Sequence, residues 1–166
     1  MRDAALGRLA ARVGEALRRA QLRVVTAESC TAGWIAKALT DTPGSSEWLD
    51  SGYVTYSNAA KRRSLGVSGR TLDRFGAVSE QTVREMARGA LKASRVEIAI
   101  AVSGIAGPGG ATPGKPVGTV WFCVGRRRGR SIALVTAHER FAGGREAVRR
   151  KSVERALRLV LQYSTE

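Results

Sequence analysis

The sequence predicts a three-layer α/β domain with a mixed sheet. Three observations lead to this fold class: strand-like and helix-like segments alternate along the chain, an amphipathic segment precedes the first strand, and residues 96–102 are almost continuously apolar. An apolar run of this kind is typical of a central strand covered on both faces. The length of 166 residues fits one domain, residues 1–166, with a sizeable core.

The helices are predicted from apolar spacing and from their terminal residues. The first helix shows the i, i+4 repeat of an amphipathic helix in Ala5, Leu9, Val13, Ala16 and Leu17. Ser79 is suited to cap a later helix, because its hydroxyl can accept a hydrogen bond from a free N–H group of the first turn. The predicted helices span residues 3–20, 34–42, 58–65, 70–75 and 79–94, and the last runs from Gly143 through Val160. On that last helix, Arg149, Arg150, Arg155 and Arg158 are expected to form the solvated face.

Five segments with β-propensity are predicted to be strands. They are residues 22–25, 48–56, 96–102, 117–124 and 131–141. The Gly- and Pro-rich residues 104–114 form a loop, whose N–H groups could approach an anion or simply connect two strands. The arginine-rich run 126–130 is interpreted as a solvated hairpin turn.

The formal net charge of +14 is the most unusual property of the composition. Such a surplus attracts anions, whether nucleic acid, anionic lipid or a phosphorylated small molecule. The aromatic content of 5% is low for a surface that stacks single-stranded bases. The charge alone therefore leaves the class of anion open.

Histidine and cysteine are too scarce for several kinds of site. The chain has one histidine, His138, and two distant cysteines, Cys30 and Cys123, a pattern that disfavours a metal site, a disulfide framework and histidine-based catalysis. We predict that no metal or cofactor is needed. The N-terminus lacks the apolar core of a signal peptide, and no stretch approaches the ~20 apolar residues of a membrane span. The expected location is the cytoplasm.

Ser29 is a candidate nucleophile, because it lies at or near a strand-to-helix turn. Amide N–H groups at a helix start can stabilise a developing oxyanion. A serine or threonine there also serves as a simple helix cap, so position alone leaves both roles open. Cys30 is a rival nucleophile, but a small buried cysteine is the commoner role.

Lys61 is the candidate base that would take the role that histidine has in many serine hydrolases. At its ordinary pKa of ~10.4, a lysine is neutral in only about one molecule in a few thousand at pH 7, so the pKa must fall. Burial and the neighbouring charges of Arg62 and Arg63 both act in that direction. A solvated lysine at a helix start is the alternative.

Several motifs taken together resemble the CinA C-terminal domain family, the nicotinamide-nucleotide amidohydrolases. The motifs are residues 26–33 (TAESCTAG), Tyr56-Ser57-Asn58 with Lys61, residues 76–79 (GAVS), residues 103–108 (SGIAGP) and residues 115–120 (KPVGTV). They occur in the family's order, and the resemblance covers about residues 8–160. It implies a stand-alone form of a domain that many relatives carry beside another.

The resemblance implies a three-layer α/β/α sandwich with a mixed, mainly parallel five-stranded sheet, one strand being antiparallel. The implied activity is hydrolysis of nicotinamide mononucleotide to nicotinate mononucleotide and ammonia, in pyridine nucleotide salvage. Carried over by position, Ser29 is the nucleophile, Lys61 the general base and Tyr56 the residue that assists proton transfer. The N–H groups of Cys30 or Thr31 are expected to meet the oxyanion.

A set of substrate-binding residues is expected around these three. They are Cys30, Thr31, Asn58, Ser103, Gly104 and Arg145. Arg145 is the predicted phosphate partner, because a guanidinium at a helix N-terminus suits an anion. We also expect a homo-oligomer, with no membrane and no nucleic acid as partner.

Two departures from the family pattern and one alternative function remain open. Ala32 stands where the family often has glycine, and Ala111 interrupts a glycine run. Both residues are small, so activity is expected to survive. The alternative is a non-catalytic module that binds a nucleotide or nucleic acid, linked to competence or DNA damage, whose affinity for polynucleotide would depend strongly on salt.

Overall fold

The computed structural model describes residues 2–165, whose strands form one five-stranded sheet. The strands are β1 (Val24–Glu28), β2 (Leu49–Val54), β3 (Ile98–Gly104), β4 (Thr119–Arg128) and β5 (Ser131–Arg140), in the order β2-β1-β3-β4-β5. β1 is parallel to β2 and β3, whereas β4 is antiparallel to both β3 and β5. The predicted mixed, mainly parallel sheet with one antiparallel strand is therefore confirmed.

Helices cover both faces of this sheet. They are α1 (Arg2–Arg19), α2 (Trp34–Thr40), α3 (Asn58–Leu65), α4 (Gly69–Phe75), α5 (Glu80–Ser94) and α6 (Arg145–Ser164). The first, second and sixth helices pack with one apolar cluster, and the third, fourth and fifth pack with another on the opposite face. The three-layer α/β/α prediction is confirmed. No helix within residues 2–165 is long and apolar enough to cross a membrane.

Two predicted details of the first elements were wrong. On α1, Leu6 is buried and Ala5 is exposed, whereas Leu9, Val13 and Leu17 are buried as predicted. β1 spans residues 24–28 rather than 22–25, since Glu28 pairs with both Val54 and Val102. The sequence did not predict the last three residues of β1, because this part of the strand contains polar residues.

The interpretation of residues 126–130 as a solvated turn was wrong for two of the arginines. β4 runs to Arg128, so Arg126, Arg127 and Arg128 belong to the strand, and the first two are also half-buried. Arg126 donates to the carbonyl of Tyr163, and Arg127 donates to the carbonyls of Leu91 and Val96. These guanidiniums satisfy carbonyl groups near the ends of the helices beside the sheet, and the turn itself is residues 129–130.

Gly89 lies where α5 packs tightly against the end of α3. A Cβ atom at this position would lie 1.9 Å from the carbonyl oxygen of Leu65. Alanine favours a helix over glycine by about 1 kcal/mol, but overpacking typically costs about 1–3 kcal/mol, and this overlap is with rigid backbone. We expect Gly89→Ala to lower the free energy of unfolding by about 2 kcal/mol in urea denaturation.

Gly7, in α1, is the matched control, because a Cβ atom there would meet nothing within 4 Å. Gly7→Ala is expected to raise the free energy of unfolding by about 0.5–1 kcal/mol, through helix propensity alone. If both substitutions stabilised the protein equally, the close contact between α3 and α5 would be contradicted.

Candidate active site

The candidate site lies where β1, β2 and β3 end. Their parallel arrangement brings their carboxyl ends to one edge of the sheet. The chain leaves β1 toward β2 on one side, and β3 lies on the other, so the end of β1 is a topological switch point, where ligands commonly bind in α/β sheets. A cavity of about 260 Å³ opens there. Its lining includes Ser29, Cys30, Tyr56, Lys61, Ser103 and Arg145.

Ser29 and Lys61 meet at the base of this cavity, although 32 residues separate them. The Nζ atom of Lys61 is 2.9 Å from the Oγ atom of Ser29. Ser29 directly follows β1, and its N–H donates to the carbonyl of Val102 at 3.0 Å. Lys61 projects from α3, whose first turn is capped by the side chain of Ser57. Tertiary packing therefore builds a close serine–lysine pair.

Burial changes the chemistry of Lys61. Its side chain is 1% exposed, and removal from water lowers its pKa from 10.5 to about 8. The Nζ atom also donates to the backbone carbonyl of Thr55 at 2.8 Å, with the carbonyl of Tyr56 at 3.5 Å. With a pKa of about 8, roughly a tenth of the lysine is neutral at pH 7, which is enough for it to act as a base.

A second buried charge, Glu28, occupies the start of α2. Its carboxylate is fully buried and accepts hydrogen bonds from the backbone N–H groups of Gly33, Ile35 and Ala36, at 2.9–3.1 Å. It also accepts a 2.7 Å hydrogen bond from the hydroxyl of Thr31. The free N–H groups at this helix start are thus used by Glu28 and are not available to a substrate oxyanion.

The turn between Ser29 and α2 contains Ala32 in a left-handed conformation, with φ of 50°. This conformation costs a residue with a Cβ atom about 1–2 kcal/mol, whereas glycine adopts it freely. The N–H of Ala32 nevertheless donates to the carbonyl of Ser29 at 3.1 Å and closes the turn. Glycine would therefore adopt the backbone conformation of this position at a lower energetic cost than alanine.

Arg145 and Tyr56 form the outer rim of the cavity. One guanidinium nitrogen of Arg145 donates to the Tyr56 hydroxyl at 2.8 Å, and the other donates to the Gly107 carbonyl at 2.8 Å. Tyr56 is 58% exposed. Arg145 therefore bridges the segment after β2 and the glycine-rich loop, with its charge at the cavity mouth.

The structure separates the other predicted site residues into two groups. Cys30, Ser103 and Gly104 line the cavity, and the Ser103 hydroxyl donates to the carbonyl of Ala77 at 2.8 Å. Thr31 is buried against Glu28, and Asn58 is exposed in the first turn of α3; neither belongs to the cavity lining.

The rival nucleophile Cys30 is disfavoured by its surroundings. Burial raises the pKa of its thiol to about 12. A thiol with that pKa remains protonated near neutral pH, and the thiolate is the nucleophilic form. Ser29, with a base within hydrogen-bond distance, is therefore the better candidate.

Arg149 is a site residue that the sequence did not predict, since it was expected on a solvated face. Its guanidinium is partly buried and donates to the carbonyl of Cys30 at 3.0 Å and to that of Thr31 at 3.4 Å. The available signal was its spacing: Arg149 lies four residues after Arg145, so both face the site from one side of α6.

In the described part of the chain, no group of three His, Cys, Asp or Glu side chains could hold a metal ion.

Comparison with known proteins shows similarity over nearly the whole chain. It is 51% identical over 162 residues to the nicotinamide-nucleotide amidohydrolase PncC of Escherichia coli strain K12, covering 98% of this chain and 96% of that protein. It is 52% identical over 158 residues to the protein of the same name from Pseudomonas putida, covering 95% and 96%. The crystal structure of the competence/damage inducible protein CihA from Agrobacterium tumefaciens matches with a TM-score of 0.90 at 44% identity, covering 97% and 96%.

The sequence model described as CinA C-terminal domain matches residues 6–164. The resemblance seen in the motifs is thereby confirmed, and the chain belongs to the CinA C-terminal domain family.

Proposed function

We propose that the protein hydrolyses the carboxamide of nicotinamide mononucleotide to give nicotinate mononucleotide and ammonia. The observation that carries the proposal is the 2.9 Å contact between the Ser29 hydroxyl and the buried Lys61 amine inside the cavity. Two relatives that are 51% and 52% identical are named nicotinamide-nucleotide amidohydrolases, which supports this choice of amide.

In the first half of the proposed reaction, neutral Lys61 accepts the proton of Ser29 as Oγ attacks the amide carbon. A carbon–oxygen bond forms, and the carbonyl π electrons move to oxygen to give an oxyanion. The N–H of Cys30, the residue after the nucleophile, is the proposed donor to this oxyanion. Protonated Lys61 then gives its proton to the amide nitrogen, and ammonia leaves as the carbon–nitrogen bond breaks.

In the second half, water hydrolyses the ester between the nicotinoyl group and Ser29. Lys61 accepts a proton from the water as it attacks and returns it to the Ser29 oxygen, which restores both groups. We propose that Tyr56 assists proton transfer at the rim. The hydrogen bond that Arg145 donates to the Tyr56 oxygen at 2.8 Å holds the phenol at the cavity mouth.

The phosphate end of the substrate is proposed to bind at the cavity mouth. Arg145 supplies a positive charge there, and it is the first residue of the 20-residue helix α6. The N-cap residue of this helix, Gly144, has no side chain with which to satisfy the first N–H groups. A guanidinium and a helix N-terminus together favour a phosphate.

The proposal is tested by adding nicotinamide mononucleotide to the purified protein and measuring ammonia together with the nucleotide product. Equal amounts of ammonia and nicotinate mononucleotide are expected. Nicotinamide riboside, which lacks the phosphate, is the matched control and should react less efficiently. Failure to release ammonia from the mononucleotide would contradict the proposal.

The net charge of +14 is the observation that favours a polynucleotide-binding module as the alternative. Such a module predicts affinity for polynucleotide that falls steeply with salt, and no ammonia release. Binding measured at two salt concentrations, beside the ammonia assay, separates the two functions. The homo-oligomer and the cytoplasmic location remain predictions.

Arg145→Gln is expected to raise KM for nicotinamide mononucleotide about tenfold or more, because hydrogen bonds to charged groups contribute about 1.5–3 kcal/mol. The kcat/KM for nicotinamide riboside should fall much less, because this substrate has no phosphate and makes no such contact with Arg145 in the unchanged protein. Arg158→Gln is the control: Arg158 lies on the same helix and pairs with Glu154 on the surface. Equal losses on both substrates would remove Arg145 as the phosphate partner.

A further inference from the structure

The turn that carries Ser29 is held from the side of α6 by Arg149. The guanidinium Nε donates to the carbonyl of Cys30 at 3.0 Å, and Nη2 approaches the carbonyl of Thr31 at 3.4 Å. The guanidinium also lies 5.8 Å from the ring centre of Trp34, a cation–π contact that further restricts its position. Two consecutive carbonyl groups after the nucleophile are thus held by one side chain.

These contacts fix the orientation of the peptide planes around Cys30. In a trans peptide, the N–H points away from the carbonyl of the same plane. The carbonyl of Ser29 accepts from Ala32, so the N–H of Cys30 points away from the closure of the turn. The carbonyl of Cys30 is held by Arg149, which fixes the following plane. Both planes that flank Cys30 are therefore anchored.

The usual source of such anchoring, the helix itself, is absent at this position. α2 begins at Trp34, four residues beyond Cys30, and the N–H groups at its start bind the carboxylate of Glu28. The N–H of Cys30 makes no hydrogen bond to another residue within the described range 2–165. Cys30 follows Ser29 directly and lines the cavity, so its N–H lies beside the nucleophile.

We propose that Arg149 is a positioning residue that holds the turn so that the Cys30 N–H meets the oxyanion. Arg149 does not touch the substrate, and it acts through the carbonyl of Cys30. This inference rests on the proposed function only for the identity of the amide substrate. The geometry of the turn does not depend on that function. Its loss should weaken stabilisation of the transition state and leave ground-state binding unchanged.

The first measurement compares Arg149→Met with Arg155→Met. Arg155 is a part-buried arginine on the same helix, and it pairs with Glu139 at 2.9 Å, away from the turn. Arg149→Met is expected to lower kcat for ammonia release about 100-fold, the loss typical of one oxyanion donor, with KM changed less than about twofold. Arg155→Met should keep both constants near those of the unchanged protein.

Arg149→Lys separates the role of geometry from that of charge, and it also serves if the methionine variant fails to fold. Lysine keeps the charge but lacks the planar fork that can reach two carbonyl groups. It is expected to lower kcat at least tenfold. In Arg149→Ala, added methylguanidinium should restore part of kcat, whereas it should not improve Arg155→Ala. A merely structural role would show neither a selective kcat loss nor this rescue.

A fluorophosphonate probe tests the turn without the amide substrate. The Ser29 oxygen forms a bond to phosphorus, the phosphorus–fluorine bond breaks, fluoride leaves and Lys61 accepts the serine proton. The phosphoryl oxygen of the adduct occupies the place of an oxyanion. Arg149→Met is expected to slow labelling of Ser29 about tenfold or more relative to Arg155→Met, as measured by mass spectrometry.

The two assays distinguish failure of this inference from failure of the proposed function. If the unchanged protein is labelled but releases no ammonia from nicotinamide mononucleotide, the proposed function fails, and slower labelling of Arg149→Met still supports the positioning role. If Arg149→Met and Arg149→Lys are labelled as fast as the unchanged protein, or their losses appear only in KM, the positioning role of Arg149 is overturned.

Discussion

Ser29→Ala is expected to abolish ammonia release from nicotinamide mononucleotide, with kcat lowered by about 10⁴-fold or more, as for loss of a serine nucleophile elsewhere. Alanine cannot form the ester intermediate, and the amine of Lys61 loses the hydroxyl that lies 2.9 Å away. The fold should be retained, because Ser29 holds its place through its backbone N–H to Val102. Steady-state kinetics and thermal unfolding measure the two effects.

Ser94→Ala is a suitable control for this substitution. Ser94 lies at the end of α5, where its hydroxyl donates to the carbonyl of Ala90, far along the sheet from the cavity. Its kcat should stay within about twofold of the unchanged protein. Rapid acid quenching during turnover should also show the acyl group of nicotinate mononucleotide, with its ribose phosphate, on the peptide that contains Ser29. Turnover by Ser29→Ala within tenfold of the unchanged protein would exclude Ser29 as the nucleophile.

Much of the fold could be predicted, because in most elements the local pattern of apolar residues agrees with their burial in the folded protein. Residues 98–102 are apolar on both faces, and β3 is the central strand, fully buried from Ile98 to Val102. The error at β1 occurs where polar residues are buried. Thr26 and Glu28 look like the end of a strand by composition, yet both lie in the interior of the protein as part of β1.

The candidate site was predictable only in part, and the reason is its assembly from distant segments. Ser29 and Lys61 are ambiguous when each is taken alone, and their pairing followed from the resemblance of several motifs. Glu28 and Arg149 were not predicted as site residues, because a charged side chain is usually solvated. Their burial depends on the carbonyl and N–H groups that the turn after β1 presents to them.

The net charge has a limited bearing on this site. Of the cations, Lys61 and Arg145 line the cavity, and Arg149 binds the turn behind it. Lys61 contributes as a base rather than through attraction, because burial lowers the pKa of its amine to about 8 and so raises its neutral fraction. The chemistry of the site therefore depends on the environment of a few cations, whereas their total number bears on long-range attraction of anions.

Lys61→Met is expected to lower kcat by about 10³-fold or more, since general acid–base catalysis contributes roughly 10²–10⁴-fold and the same amine serves both half-reactions. The unchanged protein should show kcat/KM that rises about tenfold per pH unit below pH 8 and levels off above it, because the neutral amine is the active form. Arg62→Met, at the neighbouring exposed position, should keep this profile.

The same substitution has an opposite effect on stability, and its pH dependence tests the state of Lys61 directly. Below pH 8, lysine is protonated in both the folded and the unfolded protein, so burial of the ammonium destabilises the fold. Between about pH 8 and 10.5, only the unfolded chain keeps the proton, so the free energy of unfolding rises with pH.

From pH 7 to pH 10, the unchanged protein should gain roughly 2–3 kcal/mol relative to Lys61→Met. Urea unfolding of both proteins at the two pH values measures this difference. If the free energy of unfolding changed equally with pH in both proteins, Lys61 would have an ordinary pKa. The proposal that it acts as the base would then be contradicted.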